Sequence, residues 1–185
     1  MKETEIHGYH IVIAGFKNVK VDHINSFLGL IKKGIGGSQV QFFDAMFIAG
    51  FDHLFFSLLN AFKAFETGLN RSKNLAVEAL LFASGQHQIK KALEILGIKR
   101  DTNKIVVLII AETRLKAVKS LDYISKIVAG EPADDVIELT DEKMEIIKKA
   151  FGITNLELEA TLRKTEKEAL TSLLIEHAAL SITQR

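Results

Sequence analysis

Leu75-Ala-Val-Glu-Ala-Leu-Leu-Phe-Ala-Ser-Gly-Gln-His-Gln-Ile-Lys-Lys-Ala-Leu-Glu-Ile-Leu-Gly97 is the stretch on which the fold turns. An apolar run from Leu75 to Ala83 stops at Ser84-Gly85, and a polar corner, Gln86-His87-Gln88, follows. A basic amphipathic helix then opens, with Ile89, Ala92, Leu93 and Leu96 on one face and Lys90, Lys91 and Glu94 on the other. Gly97 closes it from the C′ position. The apolar run itself reads two ways. Ser72 can cap a helix there, but the short length, the Ser-Gly stop and the helices on either side favour a buried strand. As a strand it starts a strand–helix–strand unit from Leu75 to Ile110, long enough for a crossover. The corner matters for chemistry because a helix start collects free backbone N–H groups and favours an anion. With lysines one turn inside, it can grip a phosphate. The plainer reading is a tight connection with a solvated outer face, and spacing alone favours that one.

Working outward, Tyr9-His-Ile-Val-Ile-Ala-Gly15 alternates and is β-branched, which predicts a first strand. Asp22 is placed to cap a helix reaching Lys33, with Ile24, Phe27, Leu28 and Ile31 inward and Gly34-Ile-Gly-Gly37 as its stop. Val40 to Phe47 reads as a second strand, partly irregular. Gly50 to Glu66 is apolar almost all round, which marks a central helix or one covered by a partner, with Gly68 at its end. Ile105-Val-Val-Leu-Ile-Ile110 is an unbroken apolar strand, hence covered on both faces. A helix is expected from Thr113 to Ala129, a short edge strand from Asp134 to Leu139, and a helix capped by Thr140 reaching Phe151. Thr154 and Glu157 form a capping box for a last helix running to about residue 180. These alternating elements predict an α/β (α+β) fold: a small mixed β-sheet packed with several α-helices, as a single domain over residues 1–185.

Composition narrows the function classes. A 48% hydrophobic content supports a buried core. The net charge of +1 points to no class of partner. The chain has no cysteine, so there is no disulfide frame and no thiolate metal site, which fits a cytoplasmic protein. Met1-Lys-Glu-Thr-Glu-Ile-His7 lacks the apolar core of a signal peptide, and no run is long enough to span a membrane. Charge is uneven along the chain. Residues 71–104 hold seven basic and three acidic residues, while residues 131–168 hold eleven acidic and six basic. Such asymmetry suggests one face for an anionic partner and another for something different, although ordinary sequences fluctuate this much too.

No catalytic constellation is present in the sequence. There is no phosphate-binding loop, no dinucleotide fingerprint and no nucleophile elbow around Ser84. His7 and His10 lack the partners of a metal site. Asp52 and His53 are adjacent, so on a helix they point about 100° apart. They read as a cap and as a buried or partner-facing histidine. Asp134-Asp135 reads as a solvated turn. No cofactor, metal ligand or catalytic residue is assigned, and the bottom-up reading is a binding or scaffolding module.

Two motifs carry a resemblance. Ala83-Ser-Gly-Gln-His-Gln-Ile89, with Lys90-Lys-Ala-Leu93 and Gly97-Ile98 behind it, resembles the signature of the small non-catalytic KEOPS subunit family, whose animal members bind the p53-related protein kinase. Ile48-Ala-Gly-Phe-Asp-His-Leu-Phe-Phe56, followed by Asn60-Ala61, resembles the archaeal branch's second signature. The order of elements fits to about residue 180. Archaeal members often carry arginine where this chain has His87, so the resemblance brings no permanent charge to the corner. It implies a monomer within a hetero-complex that makes threonylcarbamoyl-adenosine in tRNA. It implies binding and regulation of the KEOPS kinase/ATPase through that protein's N-terminal lobe, and recruitment of tRNA by its 3′ CCA end, with no enzymatic activity of its own and no membrane association.

On that basis the tRNA contacts are expected at Arg71, Lys73, Ser84, Gly85, Gln86, His87, Gln88, Lys90 and Lys91. The kinase contacts are expected at Phe51, Leu54, Phe55, Leu170, Leu173, Leu174 and His177. The final helix runs through Leu156, Leu158 and Leu162 into the charged stretch Arg163 to Glu168, then shows a stripe of Leu170, Leu173, Leu174, Ala178 and Ser181. That stripe either closes the core or shares an outer apolar surface with the Phe51–Phe65 helix. Two other classes remain open: a stand-alone protein binding a phosphate-bearing metabolite at the Ser84–Gln88 corner, and an unrecognised enzyme built on Asp52, His53 and His87.

Overall fold

The computed structural model describes residues 1–161 and 165–181. In chain order the elements are β1 (Lys2–Ile6), β2 (Tyr9–Lys17), α1 (Ile24–Gly34), β3 (Gln39–Asp44), α2 (Phe51–Thr67), α3 (Leu75–Ser84), α4 (Ile89–Leu96), β4 (Ile105–Ala111), α5 (Arg114–Val128), β5 (Glu131–Pro132), α6 (Asp141–Phe151), α7 (Asn155–Thr161) and α8 (Glu166–Leu180). Single 3-10 turns occupy Ala45–Phe47 and Asp134–Ile137. The protein has an α+β fold. Two compact units emerge, one from residues 1–45 and 97–136, the other from 46–96 and 137–185.

The first unit holds the whole sheet, ordered β1-β2-β4-β3, with β5 paired to β2 beyond the end of β1. Every pairing is antiparallel, so the sheet is not the mixed one expected. β1 and β2 meet through the two-residue turn His7-Gly8, both at positive φ, which matches the twist a tight hairpin needs. All seven residues of β4 are buried, as their unbroken apolar run predicts. One sheet face, with Val12, Phe16, Phe42, Val107 and Ile109, packs against Phe27 and Ile31 of α1 and Ala117 and Ile124 of α5. Thr102 ties the loop before β4 to the sheet by donating to Asp44 Oδ2 at 2.9 Å.

Two further sequence expectations change here. The cap of α1 is His23 rather than Asp22, and it makes no side-chain cap bond. The edge strand is Glu131–Pro132, not Asp134–Leu139, where a 3-10 turn stands instead. A proline at a two-residue edge removes no sheet-interior hydrogen bond, which is why it is tolerated there.

The second unit is helical. Its α2 packs on α3 and α8, α3 packs on α4, and α8 also carries α6 and α7. Ala49, Met144, Ile147, Leu158, Leu170, Leu173 and Leu174 share one core cluster. Leu75–Ala83 is a helix, not a strand, and Asn74 rather than Ser72 caps it, accepting from the Val77 N–H at 3.0 Å. Its end is a Schellman-type cap: Gly85 sits in the left-handed region, the Gly85 N–H reaches Phe82 O, and the Gln86 N–H reaches Leu81 O, both at 3.0 Å. Nine of the ten residues of α3 are buried, so no polar face announces the helical period. The last expected helix is two, α7 and α8, the second capped by Thr165 through the Glu168 N–H. The part of the expected helix at Leu162, Arg163 and Lys164 lies outside the described residues. Thr140 and the Thr154–Glu157 box cap α6 and α7 as expected.

Candidate functional site

His53 is the anchor of the site. It is fully buried in the first turns of α2, and its ring bridges two backbone segments. Its Nδ1 accepts from the Ala49 N–H at 3.2 Å, and its Nε2 bonds to Ala83 O at 2.8 Å. An N–H partner can only donate and a carbonyl can only accept, so the ring is the neutral tautomer protonated on Nε2. Burial pushes its pKa down from the usual 6.5 to about 4, with the nearby Lys143 charge acting in the same direction, against the bond to Ala83. The ring thereby pins the last turn of α3, which delivers the Ser84–Gln88 corner. Asp52 beside it is exposed and lies within the first helical turn, with Gly50 as the N-cap, so it is not the cap itself.

A second buried polar group shapes the approach to α3. Glu78, fully buried, accepts from the Arg71 N–H at 3.1 Å and the Ser72 N–H at 2.7 Å. Ser72 Oγ in turn accepts from the Asn74 N–H at 3.0 Å. The loop carrying Arg71 and Lys73 is therefore held by a carboxylate inside the unit, while both basic residues are themselves exposed.

Around the corner lies a cavity of about 260 Å³ lined by Ser84, Gly85, Gln86, Ile95, Ala150, Phe151, His177, Leu180 and Ser181. It brings together residues from both expected sets: Ser84, Gly85 and Gln86 from the RNA set, and His177 from the kinase set. The other expected RNA contacts are outside its lining. Lys90 and Lys91 are exposed on α4, Gln88 is exposed just before it, Arg71 and Lys73 are exposed on the loop before α3, and His87 is half-buried. His87 Nδ1 is buried without a hydrogen-bond partner among the described residues. On α4, Ala92 and Leu96 face inward, while Ile89 and Leu93 are exposed beside the two lysines. Residue-by-residue reading missed Ile95, Ala150, Phe151 and Leu180. The cavity's far walls are the ends of α6 and α8, and nothing local in their sequence says that they meet α3.

The expected kinase residues divide sharply. Leu54, Leu170, Leu173 and Leu174 are sealed in the interior, so of the two readings of the C-terminal stripe its leucines take the first and close the core. Phe51 and Phe55 are half-buried, and with the exposed Phe56 they form an aromatic row on α2. The Phe51 and Phe55 rings stack at 5.5 Å, and Phe55 meets Phe56 edge-on at 5.6 Å. Among the described residues no cluster of three or more His, Cys, Asp or Glu is placed to hold a metal ion. Among the described residues no helix is long and apolar enough to cross a membrane.

Over 143 residues the chain is 28% identical to the regulatory protein Cgi121 of Methanocaldococcus jannaschii, an alignment that covers 77% of this chain and 85% of that relative. Residues 16–181 match the family described as kinase binding protein CGI-121, a span that takes in the His53 bridge, the corner, the cavity and the aromatic row. The chain belongs to the CGI-121 kinase-binding protein family.

Proposed function

We propose that this protein is a non-catalytic regulatory subunit of a KEOPS-type complex, which binds the complex's kinase/ATPase and brings tRNA to it by the 3′ CCA end. The observation that carries the reading is the aromatic row Phe51, Phe55 and Phe56, left half-open to solvent beside the buried His53, Leu54, Ser57 and Leu58 of the same helix. Aromatic side chains, phenylalanine included, are enriched in protein interfaces relative to the rest of the surface. Membership of a kinase-binding family supplies the partner. The RNA half of the proposal rests on Arg71, Lys73, Lys90 and Lys91, all exposed and none in an ion pair among the described residues. Phosphates are the natural ligands of such free cations, and bases bind more specific seats nearby. A stand-alone binder of a phosphate-bearing metabolite gains no support, because among the described residues no lysine or arginine lines the cavity at the corner.

The test is reconstitution. The purified chain is expected to co-migrate with the KEOPS kinase/ATPase, to alter its ATP turnover, and to show no turnover alone. Its affinity for tRNA should fall with salt at a log–log slope of about −2 to −3 for three or four single-stranded phosphate contacts. Failure to bind the kinase at micromolar concentration would remove the proposal's core.

A further inference from the structure

Lys32-Lys-Gly-Ile-Gly-Gly37, at the end of α1 in the sheet-bearing unit, reads from sequence as a helix stop with two lysines in front of it. Lysines in a last helical turn are what the helix dipole favours, so alone they carry no message. The turn behind them does. Ser38 N–H donates to Ile35 O at 2.9 Å, with Gly36 at φ 55° and Gly37 at φ 85° between them. Ile35 at φ −84° and ψ 3°, followed by a left-handed Gly36, is the backbone sequence that aims successive N–H groups into one anion-binding hollow. The caps of α2 and α3 spend their glycine N–H groups on their own helix carbonyls. Gly36 and Gly37 do not. Their N–H groups have no partner among the described residues, and open space lies where a Cβ would stand.

A third lysine comes from another element. Tyr123 Oη donates to Leu30 O at 3.0 Å. One turn earlier on α5, Ser120 Oγ donates to Ile35 O at 3.0 Å and meets Ser38 Oγ at 2.8 Å. Moving towards the start of α5 therefore leads towards the glycine turn. Lys119, next to Ser120 and four residues before Tyr123, is exposed beside it. Lys32 and Lys33 are exposed as well, and none of the three is in an ion pair among the described residues. No counter-charge is left for them nearby in the chain. α1 has no acidic residue, and the carboxylates flanking Lys119 in sequence are taken, Glu112 by Lys116 and Asp122 by Lys126.

We infer that the Gly36–Gly37 turn with Lys32, Lys33 and Lys119 seats phosphates of the RNA backbone, as a contact additional to Arg71, Lys73, Lys90 and Lys91. The inference rests on the RNA reading above and adds where on the chain further phosphates are held. Lysines and backbone N–H groups position phosphate without reading bases, so this contact is indifferent to sequence. All five residues are exposed, which suits a polyanion lying across an open surface rather than a small molecule that needs a cleft.

The experiment titrates intact tRNA against the full chain by fluorescence anisotropy over a range of salt. K32A/K33A/K119A is expected to bind about tenfold more weakly and to lower the log–log salt slope by about 2 to 3, roughly one for each lysine. K119A alone, away from any helix end, should lower it by about 1. The arginine triple K32R/K33R/K119R should keep the slope, because charge carries the contact. Removing the CCA end should weaken the unmodified chain and the alanine triple by the same factor. In an amide correlation spectrum the Gly36 and Gly37 signals should move as tRNA is added, and signals that stay still would overturn the turn as a phosphate seat. Alanine variants that melt with the unmodified chain and keep its tRNA affinity and slope, while K90A/K91A loses both, would overturn the inference and leave the RNA reading standing. Variants that bind tRNA normally but lose the kinase would give the patch to a protein partner instead. If neither set of lysines affects tRNA binding, the RNA reading falls and the inference with it.

Discussion

At the scale of single residues, the buried polar groups tell most about how the site is held. His53 was legible only as a buried or partner-facing histidine, because sequence gives the helix face but not what lies opposite. Its two partners, Ala49 and Ala83, contribute backbone atoms, which carry no sequence signal. The same holds for Glu78, whose carboxylate bonds to backbone N–H groups. The His53 bridge predicts a pH dependence. The folded state holds its pKa near 4 and the unfolded chain near 6.5, so between these values the unfolded state binds more protons. Stability from this group is present above pH 6.5 and is lost as pH falls towards 4, by at most about 3 kcal/mol. Urea unfolding at pH 7.5, 5.5 and 4.5 measures it. His53→Asn, which puts a non-titrating amide in place of the ring, should be less stable at pH 7.5 by about 1–3 kcal/mol. Its own decline towards pH 4.5 should be shallower by the histidine's share, and an unchanged decline would show that His53 is not the titrating group.

At the scale of elements, the legible ones had a polar face or a cap with the right spacing. β4 was clear from six consecutive apolar residues, α5 from Thr113, α6 from Thr140, and α7 from the Thr154–Glu157 box. α3 was not legible as a helix, because burial on all sides erases the 3.6-residue period and an all-apolar helix then looks like an inner strand. That single misreading also produced the expected crossover and the mixed sheet. β1 escaped notice because Lys2, Glu3 and Glu5 dilute its apolar signal. Two glycines offer a contrast that checks the elements. Gly85 sits at φ 61° with open space where a Cβ would go, so Gly85→Ala costs backbone strain alone, about 1–2 kcal/mol. Gly15 has no such φ, but a Cβ there would stand 2.3 Å from Ala133 O and 2.6 Å from Val136 Cγ2. Gly15→Ala should therefore cost more, about 3 kcal/mol, by pushing the segment after β5 off β2. Denaturant midpoints of the two variants give the order, and Gly85→Asn should recover most of the loss at its site.

At the scale of the whole molecule, each compact unit is made from two separate stretches of chain, which a single hydrophobic-pattern scan cannot foresee. The charge asymmetry read along the sequence survives as an exposed basic set at Arg71, Lys73, Lys90 and Lys91, while the C-terminal leucine stripe turned inward to close a core. Two substitutions separate core from docking surface. Leu173 is 6% exposed and packed in the helical core, so Leu173→Glu buries an unpaired charge and should cost about 4 kcal/mol or more. Any loss of kinase binding in that variant follows from unfolding. Phe56 is 40% exposed, and its ring meets the Phe55 ring edge-on. Phe56→Glu should lower stability by only about 1 kcal/mol. If the aromatic row is the kinase face, the same change weakens kinase binding by at least about 2 kcal/mol, the level of an interface hot spot. Thermal melts run beside titrations of the kinase against both variants separate the two effects. A folded Phe56→Glu protein that binds the kinase as tightly as the unmodified chain would move the docking surface away from α2.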